Sequence, residues 1–347
     1  MITDKKKNMP DKINVAIAGM GSVTSTLIKG FEFYKNSSDG LWHPKVGGFT
    51  VGDINLVGVF DVESTKVGKK IKELITKNNL DFGELTVQSG IAEDPSPAHV
   101  LNQGQLKSVK YNEFVNSLKR IKPDFLLSLI SSGMDRSGEM YSKAALEVGC
   151  SFFNATSSRI INPQIKLAFE SKGLMILGDD LMSQFGGTAF HRGMIEFMTN
   201  RGIKIQKAYQ LDVGGNTDTQ NTMAEELREK KRKIKTESIS VEAPYQFRST
   251  AGTTEYAEQL GNSRVSYYWM EAKGFLGSTI EMDLSLRTDD STNGCNVIVD
   301  SLRAAKIAIS KNDLTKSDII SAYAFKNPLK KMKIRDSIKA FEESFVN

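Results

Sequence analysis

A short apolar run, Ile13-Asn14-Val15-Ala16-Ile17-Ala18, stops at Gly19-Met20-Gly21, after which Val23, Leu27, Phe31 and Tyr34 recur at helical spacing. The order is strand, tight turn, helix. Such a turn leaves backbone amides at a positive helix terminus with no side chain in the way, and a pyrophosphate fits there. The third glycine of the usual fingerprint is Thr24 here, and a glycine pair also makes an ordinary strand-to-helix turn, so the rest of the chain has to decide.

The pattern repeats downstream. Ile54 to Phe60 reads as a strand ending at Asp61, and Phe125 to Ile130 as one running into Ser131-Ser132-Gly133. Ser151 to Ala155 carries Asn154 at its end, and Leu174 to Leu177 ends at Gly178-Asp179-Asp180. Helical spacing lies between them at Val67, Ile71 and Leu74 and at Phe114, Leu118 and Ile121. This alternation predicts an α/β fold with a Rossmann-like, doubly wound parallel sheet whose ligands sit beyond the carboxyl ends of the strands. Asp61 is placed to accept hydrogen bonds from the adenosine ribose and to favour NAD over NADP, a helix N-cap being the other reading. The stretch from Asn36 to Asp53 is too long for the usual spacing and predicts a loop crossing the molecule.

After Thr188 the character changes. A helix to Asn200, a strand from Tyr209 to Val213 and a basic helix-like stretch precede two long alternating strands, Val265 to Lys273 and Thr279 to Arg287, which read as antiparallel. A helix from Asn293, a short apolar piece from Ile319 to Phe325 whose end from Ala322 reads as a buried strand, and a charged final helix follow. These elements predict a nucleotide-binding domain at 10–182 and 311–347, with an inserted α+β catalytic and oligomerisation domain at 183–310 built on an antiparallel sheet.

At 347 residues and 39% apolar content the chain has material for about two cored domains. Cys150 and Cys295 are too few for a disulfide framework and suit a reducing compartment. No apolar leader follows the basic start and no stretch reaches the roughly 18 residues needed to span a bilayer, so the expectation is a cytoplasmic protein. The net charge of +5 is uneven. Arg228 to Lys235 and Lys326 to Lys339 each hold six basic residues against one acidic one, leaving an acidic remainder. That points to local anion sites or solvated faces and away from a nucleic-acid stripe. His43, His99 and His191 are too scattered for a metal site, and His191 reads as a packing residue.

Gly178-Asp179-Asp180-Leu181-Met182-Ser183-Gln184-Phe185-Gly186-Gly187-Thr188 combines carboxylates with a Ser- and Gly-rich helix start, equally a phosphate cradle or a routine Ser183 cap. Lys231 and Lys235 share a helix face, where like charges are unfavourable unless an anion lies between them; a solvated basic face is the plain alternative. Lys326 follows a buried-looking segment, a place for a partly desolvated amine of lowered pKa.

In this order the segments Val15 to Gly21, Gly40-Leu41-Trp42-His43, Val59-Phe60-Asp61-Val62, Gly178-Asp179-Asp180, Gly187-Thr188 with His191-Arg192, Gln210 to Asp218, Val299 to Lys306 and Ser321 to Lys326 resemble the myo-inositol-1-phosphate synthase family of the shorter prokaryotic or archaeal type. The Gly-Gly-Asn-x-Asp and Gly-Asp-Asp-x-x-Ser-Gln segments are the most specific. The resemblance implies a redox-neutral isomerase that uses NAD as a regenerated oxidant to convert D-glucose 6-phosphate to 1L-myo-inositol 1-phosphate. Its stages are oxidation at C5, enolisation, aldol closure and re-reduction.

By the same resemblance Lys326 handles protons at O5, while Lys231 and Lys235 stabilise the enolate and the aldol oxyanion. Asp290 and Asn293 orient lysines or substrate hydroxyls, and Ser183, Gln184, Gly187 and Thr188 hold the substrate phosphate. Gly19, Met20, Gly21, Ser22, Val23, Asp61, Ser131, Asn154 and Asp179 line the NAD groove. Two lysines of the family pattern are Met182 and Arg264 here, and Lys273 is the candidate to replace the second. The resemblance also implies a homotetramer and a divalent or monovalent cation near the cofactor phosphates, with neither nucleic acid nor membrane as partner. A dehydrogenase of a polyol or sugar phosphate that releases NADH is the competing enzyme reading, and a noncatalytic NAD-sensing or nucleic-acid-binding protein using the basic windows the competing binding one.

Overall fold

The computed structural model describes residues 12–75, 81–95 and 106–346; the basic start of the chain and His99 lie outside them. The central strand β1 (Ile13–Ala18) pairs in parallel with β2 (Ile54–Asp61) on one side and β4 (Phe125–Ser128) on the other. With β3 (Gln88–Ser89), β5 (Ser151–Asn154) and β6 (Ile176–Leu177) the parallel sheet has the order β3-β2-β1-β4-β5-β6. The strand order reverses between β1 and β4, which opens a crevice beyond Ala18 and Ser128.

Both faces of this sheet are covered, so β4 and β5 are buried at every position and read as continuous apolar runs. Ile13, Val15 and Ile17 of β1 face α1 (Ser22–Phe33) and α9 (Asp290–Ser310), while Ala16 and Ala18 face α3 (Tyr111–Ile121) and α4 (Asp135–Val148). The helical spacing expected at Val67 is realised only as the single turn α2 (Ile71–Leu74).

The second sheet contains β7 (Lys204–Gly214), β8 (Arg248–Tyr256), β9 (Ser263–Lys273) and β10 (Thr279–Asp289) in the order β10-β9-β7-β8. β9 and β10 are antiparallel in unbroken register, as their alternation predicts. The sheet is nevertheless mixed, because β8 runs parallel to β7. A parallel neighbour needs a crossover, and the basic stretch supplies it as helix α8 (Glu225–Ser240), after the short α7 (Thr217–Thr222). Ala208, Ala251, Met270 and Ala272 of the sheet bury one face against α6 (Gly187–Asn200) and α8.

The strand expected from Ala322 to Phe325 is the end of a helix, α10 (Ser317–Ala324), with only Phe325 in a bridge to Leu181. A short apolar run buried all round carries no period to separate strand from helix, and packing between α9 and α11 (Ile334–Phe345) settles it. Among the described residues no helix is long and apolar enough to cross a membrane.

The long loop after α1 is fastened to α9 by buried charge. The Arg303 guanidinium, fully buried, donates to the carbonyls of His43 (3.0 Å), Pro44 (3.1 Å) and Phe49 (3.3 Å) and to Asp300 Oδ1 (2.5 Å). Asp300 Oδ2 in turn accepts from Tyr323 Oη (2.8 Å) and contacts His43 Nδ1 (2.7 Å). Burial opposes charging of the His43 ring, but Asp300 and then Glu342 outweigh it and raise the imidazole pKa. A raised folded-state pKa adds stability that is complete below the unfolded value, near 6.5, and is lost as pH rises through the folded one. The Tm deficit of His43→Asn is therefore expected to be a few degrees near pH 5 and to shrink toward pH 9; a deficit independent of pH would overturn this account.

Candidate active site

The crevice is a cavity of about 660 Å³ whose wall includes both the glycine turn and a cluster of basic side chains. At the turn, Gly19 has φ +102°, and a Cβ there would lie 2.4 Å from the Leu129 carbonyl oxygen. Only glycine fits. Thr24, in place of the third fingerprint glycine, donates to Gly19 O at 2.5 Å and so locks the turn from inside. Gly21 caps α1 with no side-chain hydrogen bond, and the space where its Cβ would stand is open.

Asp61 lies on the cavity wall with both oxygens engaged. Oδ2 accepts from Met20 N (2.6 Å), and Oδ1 from Val62 N (2.7 Å) and Glu63 N (2.8 Å). It fastens the glycine turn to the end of β2. Met20, Ser22, Val23 and Ser131 share the wall. Asn154 and Asp179, expected there, lie beneath it instead: Asn154 Nδ2 donates to Asp179 Oδ1 at 2.6 Å, and Asp179 Oδ2 accepts from Ile161 N at 3.2 Å. They brace the loops that carry the wall.

The basic cluster draws on seven segments of the chain. Lys231 and Lys235, four residues apart on α8, both point inward and are buried. Lys231 Nζ is 2.6 Å from Asp218 Oδ2 and Lys235 Nζ is 2.5 Å from Asp212 Oδ2. Lys326, past the end of α10, reaches Asp180 Oδ1 at 2.6 Å and the Leu181 carbonyl at 2.8 Å. Arg264, at the start of β9, pairs through Nε with Asp290 Oδ2 at 2.7 Å. All eight of these side chains line the cavity. Burial alone would raise the Asp212 carboxyl, but Lys235 and Arg264 hold it at about 2, so it stays a carboxylate.

Gly187 begins α6 against this cluster, where a Cβ would meet Gln210 Nε2 at 2.4 Å and Ser266 Oγ at 3.0 Å. Ser183 and Thr188 join it on the wall. Gln184 does not: its Oε1 accepts from Asn296 Nδ2 at 2.6 Å and its backbone N–H donates to Asn293 O at 3.1 Å, which ties the segment to α9. Gln184 faces a second, apolar cavity of about 740 Å³. Burial pushes His191 down to about 4, so the ring is neutral and packs against Gln210 and Tyr268, as a packing residue should.

Residues 186–291 match the family described as myo-inositol-1-phosphate synthase. The inositol-3-phosphate synthase of Mycolicibacterium smegmatis is 30% identical to this chain, over 96% of this chain and 98% of that protein. The chain belongs to the inositol-3-phosphate synthase family. The enzyme of the same name from Corynebacterium glutamicum is 29% identical over 95% of this chain and 98% of its own length. A myo-inositol-1-phosphate synthase-related protein of Thermotoga maritima shares the fold at TM-score 0.80, with 20% identity over 96% of this chain and 98% of that one.

The two departures from the inositol-3-phosphate synthase pattern have different consequences. Met182 points into the apolar cavity, where its sulfur accepts from Arg192 at 3.7 Å, and is absent from the wall of the charged one. Arg264 does stand on the charged wall, so the position where the resemblance implies a lysine holds a cation that does not titrate. Lys273 is no substitute. It lies at the other end of β9, nine residues and roughly 30 Å from Arg264 at about 3.3 Å per residue, and donates to Thr279. Asn293 is also off the wall, its amide donating to Asp289 O.

Sequence reasoning missed the carboxylates Asp180, Asp212 and Asp218 as partners of the lysines. A signal was available: Gln210, Asp212 and Gly214 alternate on the buried face of β7 with Ala208, and polar groups at core positions of a strand need partners. Among the described residues no group of three or more His, Cys, Asp or Glu side chains is arranged to hold a metal ion.

Burial raises the Asp179 carboxyl to about 7, against the hydrogen bonds from Asn154 and Ile161 and with a smaller push from Asp180. The stability it contributes is thus full below the unfolded value near 3.8 and is lost as pH rises to about 7. Asp179→Asn, which cannot ionise, is expected to gain in Tm relative to the parent between pH 4 and pH 7 and to level off above. Parallel pH curves for the two proteins would refute the assignment.

Proposed function

We propose that this chain is an inositol-1-phosphate synthase, converting D-glucose 6-phosphate to 1L-myo-inositol 1-phosphate with NAD as a regenerated oxidant. The observation that carries the reading is the meeting of a glycine turn and four cation–carboxylate pairs on one cavity wall. The turn fits a dinucleotide: it has an uncapped helix terminus at Gly21, open space above it and Asp61 at the end of β2. When bound, NAD supplies reversible oxidation of a secondary alcohol.

The chain's own residues do the rest. Each later stage puts negative charge on a substrate oxygen, which demands fixed positive donors in a water-poor pocket. Lys231, Lys235, Lys326 and Arg264 are preorganised for this, because the aspartates already hold them in place. Lys326 handles protons at O5, and Lys231 and Lys235 stabilise the enolate and the aldol oxyanion. Ser183, Gly187 and Thr188 hold the phosphate at the start of α6, where helix amides favour an anion. Gln184 and Asn293 position that segment, and Asp290 orients Arg264.

Incubation with glucose 6-phosphate and NAD is expected to release inositol after phosphatase treatment without stoichiometric accumulation of NADH. Lys326→Ala should lower kcat by about 100-fold or more, the usual weight of a proton-transfer group. Stoichiometric NADH would instead favour the dehydrogenase reading.

The assembly we infer is a homotetramer. The uncovered face of the second sheet carries Tyr209, Leu211, Tyr267 and Trp269, with Tyr209 and Trp269 stacked at 5.4 Å, and β10 leaves an open edge. Apolar sheet faces and free edges of this kind are normally covered. Light scattering at micromolar concentration should give an assembly of four chains; a monomeric mass would contradict it.

A further inference from the structure

Helix α9 is polar along one of its buried faces. Asn296, Asp300 and Arg303 stand there at i, i+4 and i+7. Asp300 and Arg303 fasten the crossing loop at His43, Pro44 and Phe49. Asn296 reaches both that loop and the segment that leads into α6. Its Oδ1 accepts from Trp42 N at 3.3 Å, and its Nδ2 donates to Gly40 O at 3.2 Å and to Gln184 Oε1 at 2.6 Å. The two loop groups settle which way this amide faces, since a backbone N–H only donates and a carbonyl only accepts. Nδ2 is therefore the atom that meets Gln184, and Gln184 has to present its oxygen.

The segment is pinned on both sides of Ser183: Met182 N donates to Ala324 O at 2.8 Å and Gln184 N to Asn293 O at 3.1 Å. Ser183 itself lines the charged cavity, and among the described residues neither its N–H nor its hydroxyl has a hydrogen-bond partner. We propose that Asn296 is a positioning residue for the substrate phosphate: by holding the Gln184 amide against the crossing loop, it keeps the neighbouring Ser183 donors in place for the phosphate oxygens. The proposal rests on the synthase reading. The loop, held by Arg303, becomes a second support of the phosphate site beside α9. Asparagine suits the position because one short side chain offers both an acceptor to Trp42 N–H and a donor to Gly40 O and Gln184 Oε1, which neither aspartate nor leucine does. A phosphate that does not react is held alike in the ground and transition states. A displaced Ser183 therefore weakens substrate binding and leaves the chemical step alone.

The test combines kinetics of the whole chain on glucose 6-phosphate and NAD with calorimetric titrations of inorganic phosphate and of NAD. Asn296→Asp keeps the size and the acceptor for Trp42 N–H but donates to neither partner; Asn296→Leu removes all three hydrogen bonds. Each should raise the KM for glucose 6-phosphate and the Kd for inorganic phosphate together, by about threefold to tenfold, the weight of one or two such bonds. The kcat should stay within about twofold of the parent, and NAD affinity should not change. Gln184→Leu should behave alike, and Gln184→Leu with Asn296→Leu should be no worse than either alone, because two residues that act as one do not add. Should the leucine variant fail to fold, the aspartate variant carries the same comparison. A loss of kcat at unchanged KM overturns the proposal, as does a fall in NAD affinity, a double variant whose factors multiply, or a parent that binds no phosphate. A parent that forms no inositol phosphate, yet binds inorganic phosphate through Asn296 as described, would count against the synthase reading and for the positioning role.

Discussion

A carboxylate sealed from water at Asp212 must be partnered, and much of the second sheet is arranged to partner it. Breaking a buried charge pair by removing one member costs about 3–5 kcal/mol, so the groups around Asp212 are bound to one another. Lys235 arrives from the crossover helix, Ser266 from the antiparallel neighbour and Gln210 from the same strand two residues earlier. The start of α6 has to come within van der Waals distance of this cluster, and only the missing side chain of Gly187 allows it. One buried charge thus fixes the register of β7 with β9, the face of α8 and the seat of α6.

The same logic joins the two sheets. Lys326 follows α10 and pairs with Asp180 beyond β6, while Arg264 of β9 pairs with Asp290 at the start of α9, whose length packs on the parallel sheet. Ion pairs between residues far apart in the chain therefore line the cavity. Cations held by carboxylates before any ligand enters need little reorganisation when negative charge develops, the condition under which electrostatic stabilisation is most effective.

The departures at Met182 and Arg264 also follow from where the chain points. A methionine at 182 is in keeping with its surroundings, since that side chain turns into an apolar cavity with Phe190, Met194 and Met198. Arginine at 264 gives the cluster a positive charge that does not titrate. Conversely, Lys273 looks suitable along the chain but is a strand's length away.

The order of strands, helices and glycine turn was legible in the sequence, because burial on both faces of a parallel sheet writes long apolar runs and a strained turn admits only glycine. Lys231, Lys235 and Lys326 were legible too, the first two through helical spacing that put them on one face. What the sequence left open was which carboxylates they meet, that Asn154 and Asp179 brace the wall from below, that Gln184 turns away, and that 317–324 is a helix. Those outcomes depend on contacts between residues far apart in the chain. Local periodicity records which side of an element is buried; the neighbour it is buried against exists only once the two sheets have packed.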